Sequence, residues 1–182
     1  AMNWITDVVQ QFASVPLSVD SSNTETLETG LAAAKAELGQ PMVNSVSLER
    51  EDAISIARDA KAVVIAGAAG KDRMPETKDE RMNNIVLLLE KLDSVGFGIE
   101  EIFVDPLVFP VSVNAENGKA VLDSIEETRK RYGDNTHFAP GLSNISFGMP
   151  KRKLLNQVFT TLCMERGLDG GIVDPVQINE TS

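Results

Sequence analysis

The sequence predicts an α/β fold, a parallel sheet covered by helices and closed as a (β/α) barrel, and three observations predict it. Short apolar runs alternate with longer amphipathic stretches along the 182 residues. The short runs are continuously apolar rather than alternating, the pattern of strands buried on both faces. Several of them stop at a polar cluster, and parallel strands of a barrel bring such ends to one rim. An open doubly wound sheet is the alternative, but it would spread these groups along a line. No linker or low-complexity tract interrupts the pattern, so residues 1–182 read as a single domain.

The elements follow in order. Asn3 to Phe12 is helical in pattern, and Val15 to Val19 reads as a first strand. Thr24 to Leu38 carries apolar residues at helical spacing, with Asn23 placed to cap it. Met42 to Val46 is the second strand, and Arg50 to Ala60 is a helix with Ala53, Ile54, Ile56 and Ala57 to one side. Ala62 to Ala66 is the third strand. A long helix from Asp79 to Val95 then closes at Gly96, a C-terminal stop signal. Ile102 to Val104, His137 to Pro140 and Gly171 to Val173 supply further strands. The helices Ala120 to Tyr132 and Arg152 to Arg166 lie between them and close at Gly133 and Gly167.

Composition excludes several functions. Apolar residues make up 42% and charged residues 24%, an ordinary globular balance. Seventeen basic against 27 acidic residues give a net charge of −10, which argues against nucleic acid as a partner. One cysteine, Cys163, and one histidine, His137, exclude an internal disulfide and a zinc site of Cys and His ligands. No stretch approaches the ~18 apolar residues of a membrane span, and no leader opens the chain, so the cytoplasm is the expected compartment.

The strand ends carry the chemistry. The first ends in Asp20-Ser21-Ser22-Asn23, the second in Val43-Asn44-Ser45-Val46-Ser47, the fourth in Asp105-Pro106-Leu107. The fifth runs into Gly141-Leu142-Ser143-Asn144-Ile145-Ser146, and the last ends in Asp174-Pro175. Each could serve a turn or cap the next helix instead, since Asp, Asn and Asp-Pro are common there. Asp105 and Asn144, however, lie far from the next helix start. Carboxylates and amides together can read a flat heterocycle bearing an N–H, an amino group and a carbonyl, as a pterin does. No Ser, Cys or Lys beside a His base supports acyl transfer. Ala66-Gly67-Ala68-Ala69-Gly70 lacks the spacing of a dinucleotide fingerprint.

Together, Pro16 to Asn23, Val43-Asn44-Ser45, Val104 to Leu107 and Gly141 to Ser146 resemble the methyltetrahydrofolate:corrinoid methyltransferases. These include the folate module of cobalamin-dependent methionine synthase. The segments from Leu154-Leu155-Asn156 through Gly167-Leu168-Asp169 to Asp174 fit as well. The resemblance implies a pterin-binding (β/α)8 barrel that moves a methyl group between N5 of tetrahydrofolate and the cobalt of a corrinoid protein, in one-carbon metabolism. It implies that Asp20, Asn44 and Asp105 hold the pterin, with Gly141, Ser143 and Asn144 completing the site. Asn144 would sit near N5, with Asp105 beside it as the second catalytic candidate. The corrinoid (cobalamin) comes with the partner protein, no metal is bound by the chain itself, and a homodimer is expected. Measured against ~250 residues for such a barrel, the first two βα units and the final helix are expected to be missing. The exposed strands Val15 to Val19 and Gly171 to Val173 would then seek another chain.

Two alternatives stand beside this reading. One is pterin condensation as in dihydropteroate synthase, although Asn144-Ile145-Ser146-Phe147 lacks that family's basic loop pair. The other is a catalytically silent folate-binding fragment. Among weaker signals, Lys71 and Arg73 suggest a solvated loop, and Lys151-Arg152-Lys153 are unusual cations at a helix start. His137 reads as a satisfied core residue. Trp4, Phe12, Cys163 and Met164 read as helix packing. Phe147 would either shape the corrinoid face or pack beneath its loop.

Overall fold

The computed structural model describes residues 1–174. Six helices, α1 (Met2–Val9), α2 (Thr24–Ala33), α3 (Asp52–Asp59), α4 (Lys78–Ser94), α5 (Glu116–Tyr132) and α6 (Arg152–Glu165), alternate with five strands. The strands are β1 (Ser18–Asp20), β2 (Met42–Val46), β3 (Val63–Gly67), β4 (Ile102–Asp105) and β5 (His137–Phe138). All pair in parallel, in the order β1-β2-β3-β4-β5. Each strand lies beside its predecessor, and the order never reverses. A doubly wound sheet has a reversal point, so this is the winding of a (β/α) barrel.

The register explains the hydrophobic pattern. Val19, Val43, Val64 and Ile102 lie side by side across four strands, and Val46, Ala66, Val104 and Phe138 form a second row. All eight are buried. With Leu27 and Leu31 of α2, Ala53 and Ala57 of α3, and Ile85, Leu88 and Leu92 of α4 they form one core. Each fully buried Val or Leu side chain there contributes roughly 1.5–3 kcal/mol. The intervening row, Asp20, Asn44, Ile65, Phe103 and His137, faces the other way. Of these only Ile65 is fully buried.

Several boundaries depart from the sequence expectation. The first strand begins at Ser18 rather than Val15. The helix from Thr24 stops at Ala33, because Ala34 turns extended before a short 3-10 turn at Ala36–Leu38. The strand expected at Gly171 to Val173 reduces to one parallel bridge, Gly141 with Ile172, on the far side of β5. Pro175, in the last of the polar strand ends, lies outside the described residues, as does any helix after Asp174. Trp4 and Phe12 are not packed: they are 67% and 84% exposed, because short α1 buries only its Thr6 side. Cys163 is buried as expected, and burial pushes its thiol up to about 12, but the next residue of α6, Met164, is turned about 100° away and is 62% exposed. His137 is partly exposed rather than in the core. Its Nδ1 lies 2.6 Å from Asp169 Oδ2, and its ring stacks on Phe103.

The helix ends follow local chemistry. Asn23 Oδ1 accepts from the Thr26 amide at 2.8 Å, as a cap should. At the start of α4 the Thr77 hydroxyl accepts from the Glu80 amide, and Glu80 accepts in return from the Thr77 amide, a reciprocal capping box. Arg73 pairs with Glu80, so this loop cation is engaged in its own loop. Thr77→Ala is expected to cost about 1 kcal/mol in chemical denaturation, with an unchanged m-value. At Gly96 and Gly167 the backbone takes φ of +88° and +101°, which glycine adopts without strain and which ends α4 and α6.

Candidate active site

Parallel pairing sets the C-terminal ends of all five strands toward one rim, and the predicted polar residues sit there. Asp20 closes β1 and is registered opposite Asn44 of β2. Asn44 Nδ2 donates to Asp20 Oδ2 at 3.3 Å, so two of the predicted residues are in direct contact. Asp20 is exposed and Asn44 is half-buried. The peptide between Asn44 and Ser45 is cis, at the place where the β2–β3 register shifts.

Asp105 closes β4, two strands further round, opposite Gly67 of β3. A Cβ on Gly67 would lie 3.8 Å from Leu107 Cδ2 and 4.0 Å from Ser45 Oγ, so the glycine sits between the β2 and β4 ends. Asp105 Oδ1 accepts from the Leu107 amide at 2.8 Å. Its carboxylate is thus turned by its own loop rather than by a helix cap. Loss of water around it pushes its pKa up from 3.8 to about 6, and the Leu107 amide pulls part of the way back. An acid so poised near neutrality at a strand end makes Asp105 a candidate for a functional group.

Gly141, Ser143 and Asn144 follow β5 in a 3-10 turn spanning Leu142–Ser146. The turn is held from outside: Arg152 Nη2 donates to the Ser143 carbonyl at 3.1 Å, and Arg152 Nε donates to Ser146 Oγ at 3.0 Å. The Arg152 guanidinium also lies over the Phe147 ring, 4.5 Å from its centre. This accounts for a cation at a helix start, which the dipole alone disfavours. It also shows Phe147 as a half-exposed lid on Arg152. A Cβ on Gly141 would come within 3.1 Å of Asn144 Nδ2. Gly141→Ala is therefore expected to displace the Asn144 side chain with little loss of Tm, checked by a crystal structure of the variant and by thermal melting.

The structure brings Asp20 and Asn44 into contact and places Asp105 and the Asn144 turn on the same rim, two and three strands on. Sequence reasoning noted Arg152 only as an unusual cation and gave no sign of its contacts with Ser143 and Ser146, and it did not single out Gly67 opposite Asp105. Among the described residues no helix is long and apolar enough to cross a membrane, and no cluster of His, Cys, Asp and Glu is arranged to hold a metal ion.

Residues 1–174 match the family model described as pterin binding enzyme. The chain is 31% identical over 180 residues to a methylcorrinoid:tetrahydrofolate methyltransferase of Eubacterium limosum, covering 96% of this chain and 65% of that protein. It is 32% identical over 182 residues to methionine synthase of Mycobacterium tuberculosis, covering 91% of this chain and 15% of that protein. The chain thus spans less than two thirds of either relative. Among solved structures, dihydropteroate synthase of Xanthomonas albilineans, in complex with indole-2-carboxylic acid and 6-chloroguanine, superposes with a TM-score of 0.74. That match covers 97% of this chain and 66% of the other at 19% identity, a likeness of fold.

Proposed function

This chain belongs to the pterin binding enzymes, and from that premise we propose that it transfers a methyl group between N5 of tetrahydrofolate and the cobalt of a corrinoid protein. The observation that carries this reading is the rim itself, where Asp20 and Asp105 end two parallel strands, Asn44 of β2 is registered beside Asp20, and Asn144 stands on the loop after β5. The likeness to the methylcorrinoid:tetrahydrofolate methyltransferase and to methionine synthase supports the choice of reaction.

In this proposal Asp20, Asn44 and Asp105 bind the pterin edge, while Gly141, Ser143 and Asn144 surround N5. Asp105 in its ionised form accepts from the amino and N–H edge of the ring. A tertiary amine is a poor leaving group, so N5 must gain positive character before its methyl can leave. The Asn144 amide accepts from N5 as that nitrogen becomes protonated, an interaction strongest in the transition state. The corrinoid supplies the cobalt that takes or gives the methyl group. The chain's residues orient the pterin and stabilise charge at N5.

A corrinoid protein is the proposed partner. We include a homodimer in the proposal. Apolar residues stand exposed at both ends of the sheet, at Val15 before β1 and at Ile172 beyond β5, and such edges favour a second chain. Sedimentation showing a stable monomer would remove the dimer from the proposal.

The test of the reaction mixes the purified chain with methyltetrahydrofolate and cob(I)alamin and follows the visible spectrum. Conversion to methylcobalamin is expected. Folate binding without conversion would identify a silent binding module, and formation of dihydropteroate from a pterin pyrophosphate and p-aminobenzoate would replace methyl transfer with condensation.

A further inference from the structure

Arg81 is the largest fully buried side chain of the described residues, at 0% exposure, on a face of α4 otherwise formed by Met82, Ile85, Leu88, Leu89 and Leu92. A buried guanidinium is costly where an aliphatic side chain would pack, unless its hydrogen bonds serve a purpose. Among the described residues none of the ion pairs involves it. It donates instead to backbone carbonyls of the two loops that leave β3 and β4. Nη1 reaches the Thr77 carbonyl at 3.1 Å and Nε reaches the Pro106 carbonyl at 3.0 Å. The guanidinium lies over the Phe109 ring, 5.1 Å from its centre.

The loop it grips is the one that turns Asp105. Leu107 has φ of +62°, a left-handed conformation that a leucine resists. Yet it is the Leu107 amide that donates to Asp105 Oδ1 and so fixes the carboxylate's direction. Without a hold on the Pro106 carbonyl the turn would relax, the amide would swing away, and the carboxylate would lose its orientation. A guanidinium suits the task because its fork spans Thr77 and Pro106 at once, which a single ammonium cannot do.

We propose that Arg81 is a positioning residue for Asp105: by clamping the Pro106 carbonyl it holds the left-handed turn at Leu107 and thereby aims the carboxylate at the pterin. This rests on the reading of Asp105 as a pterin ligand. Arg81 itself touches no substrate.

The experiment measures tetrahydrofolate affinity of the whole chain by calorimetry, at a temperature well below each variant's Tm, together with hydrogen exchange at the Leu107 amide. Arg81→Met is expected to weaken binding about 10-fold and to speed Leu107 exchange, beyond any fall in Tm. Arg81→Lys keeps one donor for Pro106 and is expected to recover most of the affinity, to within about threefold of the parent. A lower Tm with unchanged affinity and unchanged Leu107 exchange would mean that Arg81 only packs the core, and would overturn the proposal. If Arg81→Met does not fold, Arg81→Lys decides alone: the threefold loss with faster exchange supports the clamp, and parental values for both overturn it. Asp105→Ala runs in parallel. Should that variant bind tetrahydrofolate like the parent, the pterin-ligand reading itself fails, and the positioning proposal falls with it. Weak binding by Asp105→Ala beside parental binding by Arg81→Met would overturn the positioning role alone.

Discussion

Asn144→Ala is expected to slow methyl transfer by about 10–1000-fold, the scale on which a lost oxyanion-type contact lowers turnover. Tetrahydrofolate affinity should fall much less. The split follows from when the contact forms. An amide oxygen beside neutral N5 gains little, but the same oxygen beside a protonated N5 accepts a charge-assisted hydrogen bond. The interaction therefore belongs mainly to the transition state and appears in kcat rather than in binding. The turn that carries Asn144 is held by Arg152 through the Ser143 carbonyl and Ser146, so truncation at 144 leaves the loop in place. Single-turnover transfer to cob(I)alamin, beside equilibrium folate binding, measures both quantities. A parental single-turnover rate would end the N5 role of Asn144.

Asp105 is expected to oppose stability and binding to one another. Its folded pKa is raised from 3.8 to about 6 by burial, so the native state binds the proton more tightly than the unfolded chain does. The stability this contributes is complete below about pH 4 and is lost as pH rises through about 6. Above neutrality the half-buried carboxylate thus costs on the order of 2 kcal/mol, allowing for its contact with water. Asp105→Asn should recover that amount at pH 8, change little at pH 4, and flatten this part of the stability profile. Pterin affinity should move the other way: it should rise through the same window in the parent, because the ionised form accepts from the ring. Asp105→Ala should lose a charge-assisted hydrogen bond, roughly 1.5–3 kcal/mol at pH 8. Denaturation and folate calorimetry, each at pH 4 and pH 8, test the pair. Equal pH dependence of stability in parent and Asp105→Asn would remove the buried-charge account. Such a conflict is what a site group retained for function rather than stability produces.

Much of the fold is legible because helix and strand are written in local periods. The continuous runs at Met42–Val46 and Val63–Gly67 appear within a residue or two of their expected places, and the glycines at 96, 133 and 167 end helices as their positions indicate. The candidate site residues Asp20, Asn44 and Asp105 were visible for the same reason, as polar residues within or at the ends of apolar strands. Trp4 and Phe12 were misjudged because hydrophobicity says that a side chain favours burial, not that a neighbour covers it. The hydrogen bonds of Arg81 and Arg152 were invisible, since Arg81 reaches main-chain carbonyls that every sequence contains and Arg152 reaches one such carbonyl and the Ser146 hydroxyl across a turn.

The sequence by itself determined a helix-covered parallel sheet, the approximate place of each element, and which polar residues close the strands. Those properties depend on side-chain type and spacing over a few positions. The tertiary structure alone decided the unreversed order of the strands, the meeting of Asp20 with Asn44 across a sheet pair, the burial that raises the Asp105 pKa, and the hydrogen bonds from Arg81 to Pro106 and from Arg152 to Ser143. The meeting of Asp20 with Asn44 and the hold of Arg81 on Pro106 join residues 24 and 25 positions apart, and the Asp105 pKa rests on exclusion of water by the assembled core; neither is defined until the chain has closed on itself.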